Sequence, residues 1–242
     1  MVVVTGAGSG IGQAAAVAFA NAGGKVLGVG RRTEALAETA AMHSGIETMS
    51  IDVCAPDAAG KIVAHAVDRW GRIDVVVNNA GILAMMPLSD VTANGINRVL
   101  ATNVTAPSML ASAALPHLKT SRGAIVNVSS TFGHRPIADA SHYGASKAAI
   151  EQLTRSWALE LAADGVRVNA VAPGPTESGA LAGAGLTGVQ INAVKDAEAA
   201  RIPLGRRGEP AEVAEWIVRF ADAQTAWLTG QVLTVDGGLE LV

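Results

Sequence analysis

The sequence predicts an α/β fold, a three-layer, doubly wound sandwich built on a seven-stranded parallel sheet. Short apolar runs alternate with helical patterns from one end of the chain to the other, which is the order of a parallel sheet covered on both faces. The helical stretches are long enough to be the crossovers that parallel strands require. A cluster of glycines separates the first apolar run from the first helical stretch. The predicted strands are Val2 to Thr5, Lys25 to Val29, Glu47 to Ile51, Asp74 to Val77, Ala124 to Val128, Arg167 to Val171 and Gln231 to Val235, each a short run rich in Val, Ile or Thr. Between them the helical pattern covers Ile11 to Ala22, Thr33 to Met42, Ala58 to Trp70, Gly95 to Leu118, Tyr143 to Ala163 and Pro210 to Ala221.

A length of 242 residues suits one α/β domain, so residues 1–242 are expected to form a single domain. Residues 177–202 break the alternation: they are rich in Gly and Ala, carry no charge from Ser178 to Val194, and read as a neutral substrate lid inserted in that domain. Half of the residues are hydrophobic and 16% charged, yet no uninterrupted apolar run is long enough to span a bilayer. The N-terminus enters a strand without the features of a signal peptide, and a cytoplasmic protein is expected. The single cysteine, Cys54, allows no internal disulfide, and five scattered histidines show no metal-ligand spacing, so no metal is expected. A formal net charge of −3 and few aromatic residues argue against nucleic acid. The expected partner is a small molecule.

After the first strand comes Thr5-Gly6-Ala7-Gly8-Ser9-Gly10-Ile11-Gly12, followed by an Ala-rich helix. Glycines let the backbone approach a pyrophosphate, and the helix N-terminus presents amide donors and a favourable dipole. The G-x-G-x-x-G spacing does not fit these residues, whereas T-G-x-x-x-G-x-G does. In this position the cluster reads as the dinucleotide loop of a Rossmann-like domain.

Tyr143, the only tyrosine, precedes Lys147 by four residues, so on a helix both lie on one face. An ammonium beside the phenol favours phenolate and moves tyrosine toward use as a general acid or base. Ser130 ends the apolar run that begins at Ala124, which puts its hydroxyl at a strand tip, where it can hold a carbonyl oxygen. An exposed helix pair and a strand-ending serine would look the same in isolation.

In combination these motifs resemble the short-chain dehydrogenase/reductase family over essentially the whole chain. The same order holds for Asp52-Val53, Asn78-Asn79-Ala80-Gly81, Asn103 and Pro173-Gly174. The resemblance implies that Tyr143 exchanges the proton, that Ser130 orients the carbonyl, and that Lys147 lowers the tyrosine pKa while holding the nicotinamide ribose. It implies that Asn103 positions a water in the proton relay. Gly6, Ser9, Gly10, Ile11 and Gly12 would cradle the cofactor, Asp52 and Val53 would flank its adenine, and Asn78, Asn79, Ala80 and Gly81 would line it. Pro173, Gly174, Thr176 and Ser178 would lie by the nicotinamide, with Ser178 standing where the family has threonine. Gly30 occupies the end of the second strand, where an acid would select NAD. Arg31 and Arg32 follow it and suit a 2′-phosphate, so NADP(H) is favoured over NAD(H), although Ser9 replaces a basic residue common in NADP-preferring relatives.

By the same resemblance the substrate would meet Leu83, Ala84, Met85, Met86, Thr131, Phe132, His134 and neutral residues past Ser178, a lining suited to an apolar ketone or secondary alcohol. His134 and His142 are either hydrogen bonders around that site or surface residues, and Arg135 meets either an anion or solvent. Gly144, Ala145, Ala148 and Ala149 permit close helix packing, across subunits as in the family or against the sheet, and a homodimer or homotetramer is expected. Two other readings compete with the oxidoreductase, which would interconvert a ketone, such as a 3-oxoacyl thioester, and a secondary alcohol. An idle cofactor-binding protein would not need a tuned acid. A serine hydrolase would leave the glycine loop without a purpose, and no G-x-S-x-G elbow exists.

Overall fold

The computed structural model describes residues 1–178 and 187–242. Its strands are β1 (Val2–Thr5), β2 (Val26–Gly30), β3 (Ile46–Ser50), β4 (Val75–Asn78), β5 (Ala124–Val128), β6 (Arg167–Pro173) and β7 (Val232–Val235). They form one sheet in the order β3-β2-β1-β4-β5-β6-β7, with every pairing parallel. The described helices are α1 (Gly10–Asn21), α2 (Thr33–Ala41), α3 (Ala58–Trp70), α4 (Ala93–Leu100), α5 (Ala106–Ser121), α6 (Ser141–Leu161), α7 (Gly188–Arg201) and α8 (Pro210–Ala221). None of the described helices is long and apolar enough to cross a membrane.

The unbroken valine runs follow from this arrangement, because a strand covered on both faces needs apolar side chains at consecutive positions. Val2, Val4, Val75 and Val77 point to one face and pack with Phe19 of α1 and Ile217 and Phe220 of α8. Val3, Val76 and Ile125 point to the other and pack with Ile62 of α3 and Leu110 and Leu118 of α5. The chain winds outward from β1 through β2 to β3, then returns to β4 on the opposite side of β1. The loops that leave β1 and β4 therefore diverge and open a crevice at their carboxyl ends, the place where doubly wound sheets bind ligands.

Two stretches differ from expectation. The helix predicted over Gly95 to Leu118 is interrupted by a π-helical turn, Ala101–Thr105, between α4 and α5. Pro107 accounts for the break, since it has no N–H for the carbonyl of Asn103 four residues back and its ring crowds that carbonyl. The amide of Ala106 instead reaches the carbonyl of Ala101, one residue further than in an α-helix. In the stretch expected to be a lid, α7 begins at a capping box made by Thr187 and Gln190. The part of that stretch over residues 179–186 lies outside the described residues.

Polar groups are buried within the core beside β5. The Asn78 amide donates to Asn127 Oδ1 at 2.9 Å, and Asn127 Nδ2 donates to Thr154 Oγ1 at 2.8 Å. Thr154→Val would leave the fully buried Asn127 amide short of an acceptor. The expected loss is about 1–3 kcal/mol, read from urea unfolding; an unchanged midpoint would show that Asn127 does not need this acceptor.

Candidate active site

The crevice begins at the turn after β1. Gly6 has φ +69°, and a Cβ on Gly12 would stand 2.3 Å from the Gly6 carbonyl oxygen, so the turn presses directly on the first turn of α1 and tolerates no side chain there. What the loop offers is backbone amide at the start of α1, whose first turn carries no acid. That arrangement fits the pyrophosphate of a dinucleotide. Thr5 ties the turn to β4: its Oγ1 donates to Val77 O at 3.2 Å and accepts from the amides of Asn79 and Ala80, each at 3.0 Å. The Asn79 side chain donates to Thr5 O at 2.9 Å, so it braces the glycine loop from behind.

Ser9 precedes α1 without a capping bond from its side chain, whose Oγ instead accepts from Nη2 of Arg32, exposed before α2, at 3.1 Å. Arg31 is exposed beside it. No carboxylate ends β2, which finishes at Gly30. Asp52 closes a turn by accepting from the Cys54 amide at 2.9 Å, and Val53 faces Thr5, Asn78, Ala80 and Thr102 across a small gap.

The reacting groups are set by a ladder between the end of β5 and one face of α6. Asn127 meets Thr154 as described, Val128 O accepts from Lys147 Nζ at 2.8 Å, and Ser129 Oγ donates to Glu151 Oε1 at 2.9 Å. Ser130 stands next to the phenol of Tyr143. Burial pushes the Tyr143 pKa above its ordinary value, and the Ser130 hydroxyl acts the other way. The downward shift expected from Lys147 is therefore reversed in the protein alone, because desolvation of the phenolate outweighs the stabilisation around it. Lys147 Nζ lies 5.8 Å from the centre of the tyrosine ring. Burial in turn lowers the lysine from 10.5 to about 8.

Asn103 is buried in the π turn. Its Oδ1 accepts from Ile82 N at 2.9 Å, and its Nδ2 donates to Ile82 O and to Ser146 Oγ, both at 3.0 Å. The side chain is committed to clamping the loop after β4 onto α6. Its main-chain carbonyl is the group to which Pro107 has no N–H to give. Gly81 lies over this junction, where a Cβ would come 3.3 Å from Asn103 Oδ1 and 3.4 Å from Lys147 Nζ.

A cavity of about 780 Å³ joins these parts. Ile11, Asn79, Gly81, Ser130, Tyr143, Lys147, Pro173, Gly174, Thr176 and Ser178 all line it. Gly6, Ser9, Gly10, Gly12, Arg31, Arg32, Asp52, Val53, Ala80 and Asn103 stand outside its lining, as the glycine turn, its braces and the far end of the crevice. Ser178 closes over the glycine loop, 3.0 Å from where a Gly10 Cβ would be.

Of the substrate contacts expected, Leu83, Met85 and Phe132 line the cavity, joined by Ile137, Val194 and Leu239. Ala84, Met86, Thr131 and His134 do not. Met86 packs by Gly95, Thr131 Oγ1 donates to Asp236 Oδ2 at 3.2 Å, and the two ring nitrogens of His134 face Glu151 and Glu240. A His134 so engaged is not a base for Ser130, which removes the hydrolase reading. His142 meets Ser141 at the surface. Gly144 serves its own chain: a Cβ there would lie 2.9 Å from Phe132 O.

Beyond the uncharged run from Ser178 to Val194, Glu198 and Arg201 of α7 also face the cavity. Arg207, buried before α8, joins Glu177 at 2.8 Å and Glu198, while Lys195 also pairs with Glu177, so α7 is fastened by ions to the loop after β6. Sequence reasoning missed this cluster because its members are far apart in the chain and no local pattern links them. Glu151 was missed as well, yet it left a signal: an acid four residues after Lys147 on the same helix face.

The fold and this site together define an oxidoreductase of the dinucleotide-binding α/β class, in which hydride passes between a nicotinamide cofactor and a carbonyl or alcohol. A family model described as enoyl-(acyl carrier protein) reductase matches residues 6–240. The chain is 35% identical over 242 residues to a 3-oxoacyl-[acyl-carrier-protein] reductase of Thermotoga maritima, covering 98% of this chain and 96% of that protein. It is 38% identical over 247 residues to a cis-4-hydroxycyclohexanecarboxylate dehydrogenase of Sinomonas cyclohexanicum, covering 99% and 96%. A short-chain dehydrogenase/reductase of unknown function from Caenorhabditis elegans, crystallised with cofactor, superposes with a TM-score of 0.93 at 33% identity, covering 100% of this chain and 95% of that one. The chain belongs to the short-chain dehydrogenase/reductase family.

The buried ammonium of Lys147 carries a measurable burden. The unfolded chain keeps this proton up to about 10.5 whereas the folded chain releases it near 8, so folding is disfavoured by the ammonium at neutral pH and stability rises between those values. Lys147→Met is expected to abolish turnover yet raise Tm at neutral pH, with the gain shrinking as the pH is raised past that of the wild-type lysine. A lower Tm at neutral pH would mean that the bond to Val128 O outweighs desolvation.

Proposed function

We propose that this protein is an NADP(H)-dependent reductase or dehydrogenase that interconverts an apolar ketone, including 3-oxoacyl thioesters, and the matching secondary alcohol, with Tyr143 as general acid and base. The observation that carries this reading is the convergence of Tyr143, Ser130 and Lys147 on a cavity that Ile11 of the glycine loop also lines. Bound nicotinamide supplies or takes the hydride. In reduction, Tyr143 gives its phenolic proton to the substrate oxygen, and the Ser130 hydroxyl donates a second hydrogen bond to the same oxygen. The phenolate left behind is stabilised by the Lys147 ammonium, whose charge is little screened because the side chain is buried. This attraction offsets the desolvation that raises the phenol in the protein alone. Lys147 also has donors for the nicotinamide ribose.

Asn103 acts in this reading as a clamp through its side chain, and its main-chain carbonyl is the group suited to hold the water of a proton relay. The glycine loop with Ile11, Asn79, Gly81, Pro173, Gly174, Thr176 and Ser178 holds the cofactor, and Asp52 and Val53 bound the adenine end. In this reading Arg32, held by Ser9, and Arg31 beside it receive the 2′-phosphate of NADP(H). The apolar lining from Leu83, Met85, Phe132 and Leu239 supports a carbonyl compound of low polarity. The activities named for the Thermotoga and Sinomonas relatives support chemistry at a C–O bond. Ala145 and Ala148 are exposed along α6, which supports a homodimer or homotetramer, and the protein is read as a cytoplasmic enzyme of small molecules.

Following NADPH absorbance with acetoacetyl-coenzyme A and a panel of apolar ketones tests the reading. Tyr143→Phe is expected to lower kcat by about 10²–10⁴-fold; a mutant as active as the wild type would remove Tyr143 from the mechanism. Arg32→Ala is expected to raise the KM for NADPH about tenfold and to leave that for NADH nearly unchanged. Equal effects on both cofactors would overturn the 2′-phosphate assignment.

A further inference from the structure

A second set of polar groups binds the loop that follows Ser130 to two distant parts of the chain. Glu151, buried one turn beyond Lys147, accepts from Ser129 Oγ at 2.9 Å and faces His134 Nδ1 at 3.1 Å. On the other side of the ring, His134 Nε2 faces Glu240 Oε2 at 2.8 Å, and the same oxygen accepts from Thr234 Oγ1 at 2.8 Å. The backbone is shaped for this contact: a Cβ on Gly133 would lie 2.4 Å from Glu151 Oε1. The loop is further held by Arg135, whose Nη1 donates to Leu239 O at 2.5 Å, and by Asp236, which accepts from Thr131 and from the Glu240 amide.

The chemistry of the ring decides how such a bridge works. A neutral imidazole has one N–H and one lone pair, so between two carboxylates one of its contacts must set lone pair against lone pair. An imidazolium donates to both. Burial lowers the His134 pKa, but the two carboxylates outweigh it and the net shift is upward. Among the described residues, further charged groups around the bridge are Arg155, 3.9 Å from the second oxygen of Glu151, with Arg135 and Asp236 on the loop and the C-terminal segment. The His134 side chain is 33% exposed, so its proton exchanges with solvent without opening the fold.

We propose that His134, doubly protonated between Glu151 and Glu240, is a positioning residue that fastens the Ser130 loop to α6 and to the C-terminal segment, and that loss of one ring proton releases the Glu240 side and slows the reaction. The effect on turnover rests on the reaction proposed above; the bridge itself does not. Because the folded pKa is raised, the contribution of the bridge is complete below the ordinary histidine range and is lost as pH rises through the folded value.

The informative variant is Glu240→Gln, because an amide can donate to a neutral ring where a carboxylate cannot. Its bridge therefore survives deprotonation of His134. Titration of the five histidine rings by NMR, with His134→Asn for assignment, is expected to show His134 highest in the wild type and lowered in Glu240→Gln. Over the interval in which the wild-type ring deprotonates, wild-type kcat with NADPH and acetoacetyl-coenzyme A is expected to fall about tenfold, the scale of one charge-assisted hydrogen bond. Glu240→Gln is expected to show no such fall. Titration of Lys147 is common to both proteins, so the ratio of their profiles isolates His134, which a purely structural role for Glu240 would leave flat.

Superimposable pH profiles, or a His134 that titrates with the other rings, would overturn the proposal. If no carbonyl probe turns over, the reaction reading fails separately. Amide hydrogen exchange across residues 131–135, corrected for its intrinsic pH dependence, then decides the bridge. Exchange that accelerates with pH in the wild type alone supports it, and identical behaviour in Glu240→Gln rejects it.

Discussion

The site depends on a polar stripe along α6 that is buried from Lys147 to Thr154 and opens to the cavity at Tyr143. Tyr143, Lys147, Glu151 and Thr154 recur at helical spacing on the face turned toward the sheet, where an ordinary amphipathic helix would place apolar side chains. A buried polar group without a partner is costly, so each needs a complement at a fixed height. Four consecutive residues at the end of β5 supply them: Ser130 for Tyr143, the Val128 carbonyl for Lys147, Ser129 for Glu151 and Asn127 for Thr154. The rise of the strand and the pitch of the helix thereby set the position of the phenol and the ammonium together. Neither depends on a flexible loop for its placement.

The same stripe explains why the site carries its burden in the form of charge. Lys147 is held by a neutral carbonyl, and burial draws its pKa down to about 8 while raising that of Tyr143. Both shifts disfavour the charged form of the group taken singly, so the ammonium is of most use where charge develops on the phenol beside it. A carboxylate beside Lys147 would relieve the ammonium and weaken its pull on the tyrosine. The carboxylate on this helix is instead one turn further on, spent on Ser129 and His134.

Much of the fold was legible because its signals are local. Consecutive valines at Val2 to Val4 and Val75 to Val77 announce strands buried on both faces, and the helical stretches between strands announce parallel pairing. Tyr143, Lys147 and Ser130 could be picked out because their spacing places them on recognisable elements. The π turn was less accessible: Pro107 was visible, but the register change also depends on Asn103 finding both backbone groups of Ile82, a contact made only in the folded chain. The link between α7 and Arg207 has no sequence pattern at all, since Glu177, Lys195, Glu198 and Arg207 meet from separate segments. The sign of the Tyr143 shift was likewise beyond reach, because proximity to a lysine can be read from spacing whereas desolvation depends on everything packed around the ring.

The π turn between α4 and α5 holds its place by counting. Such a turn accommodates one residue more than the α-helix it interrupts, and each residue of an α-helix advances the side chains by about 100°. Deleting Val104 or Thr105 would remove that extra residue and swing α4, with Asn103, around the helix axis relative to α5. The amide of Asn103 would leave Ile82, and the loop that lies over Lys147 would lose its anchor without any change in the residues that touch it. In this segment the length of the chain is as much a functional feature as the identity of its side chains.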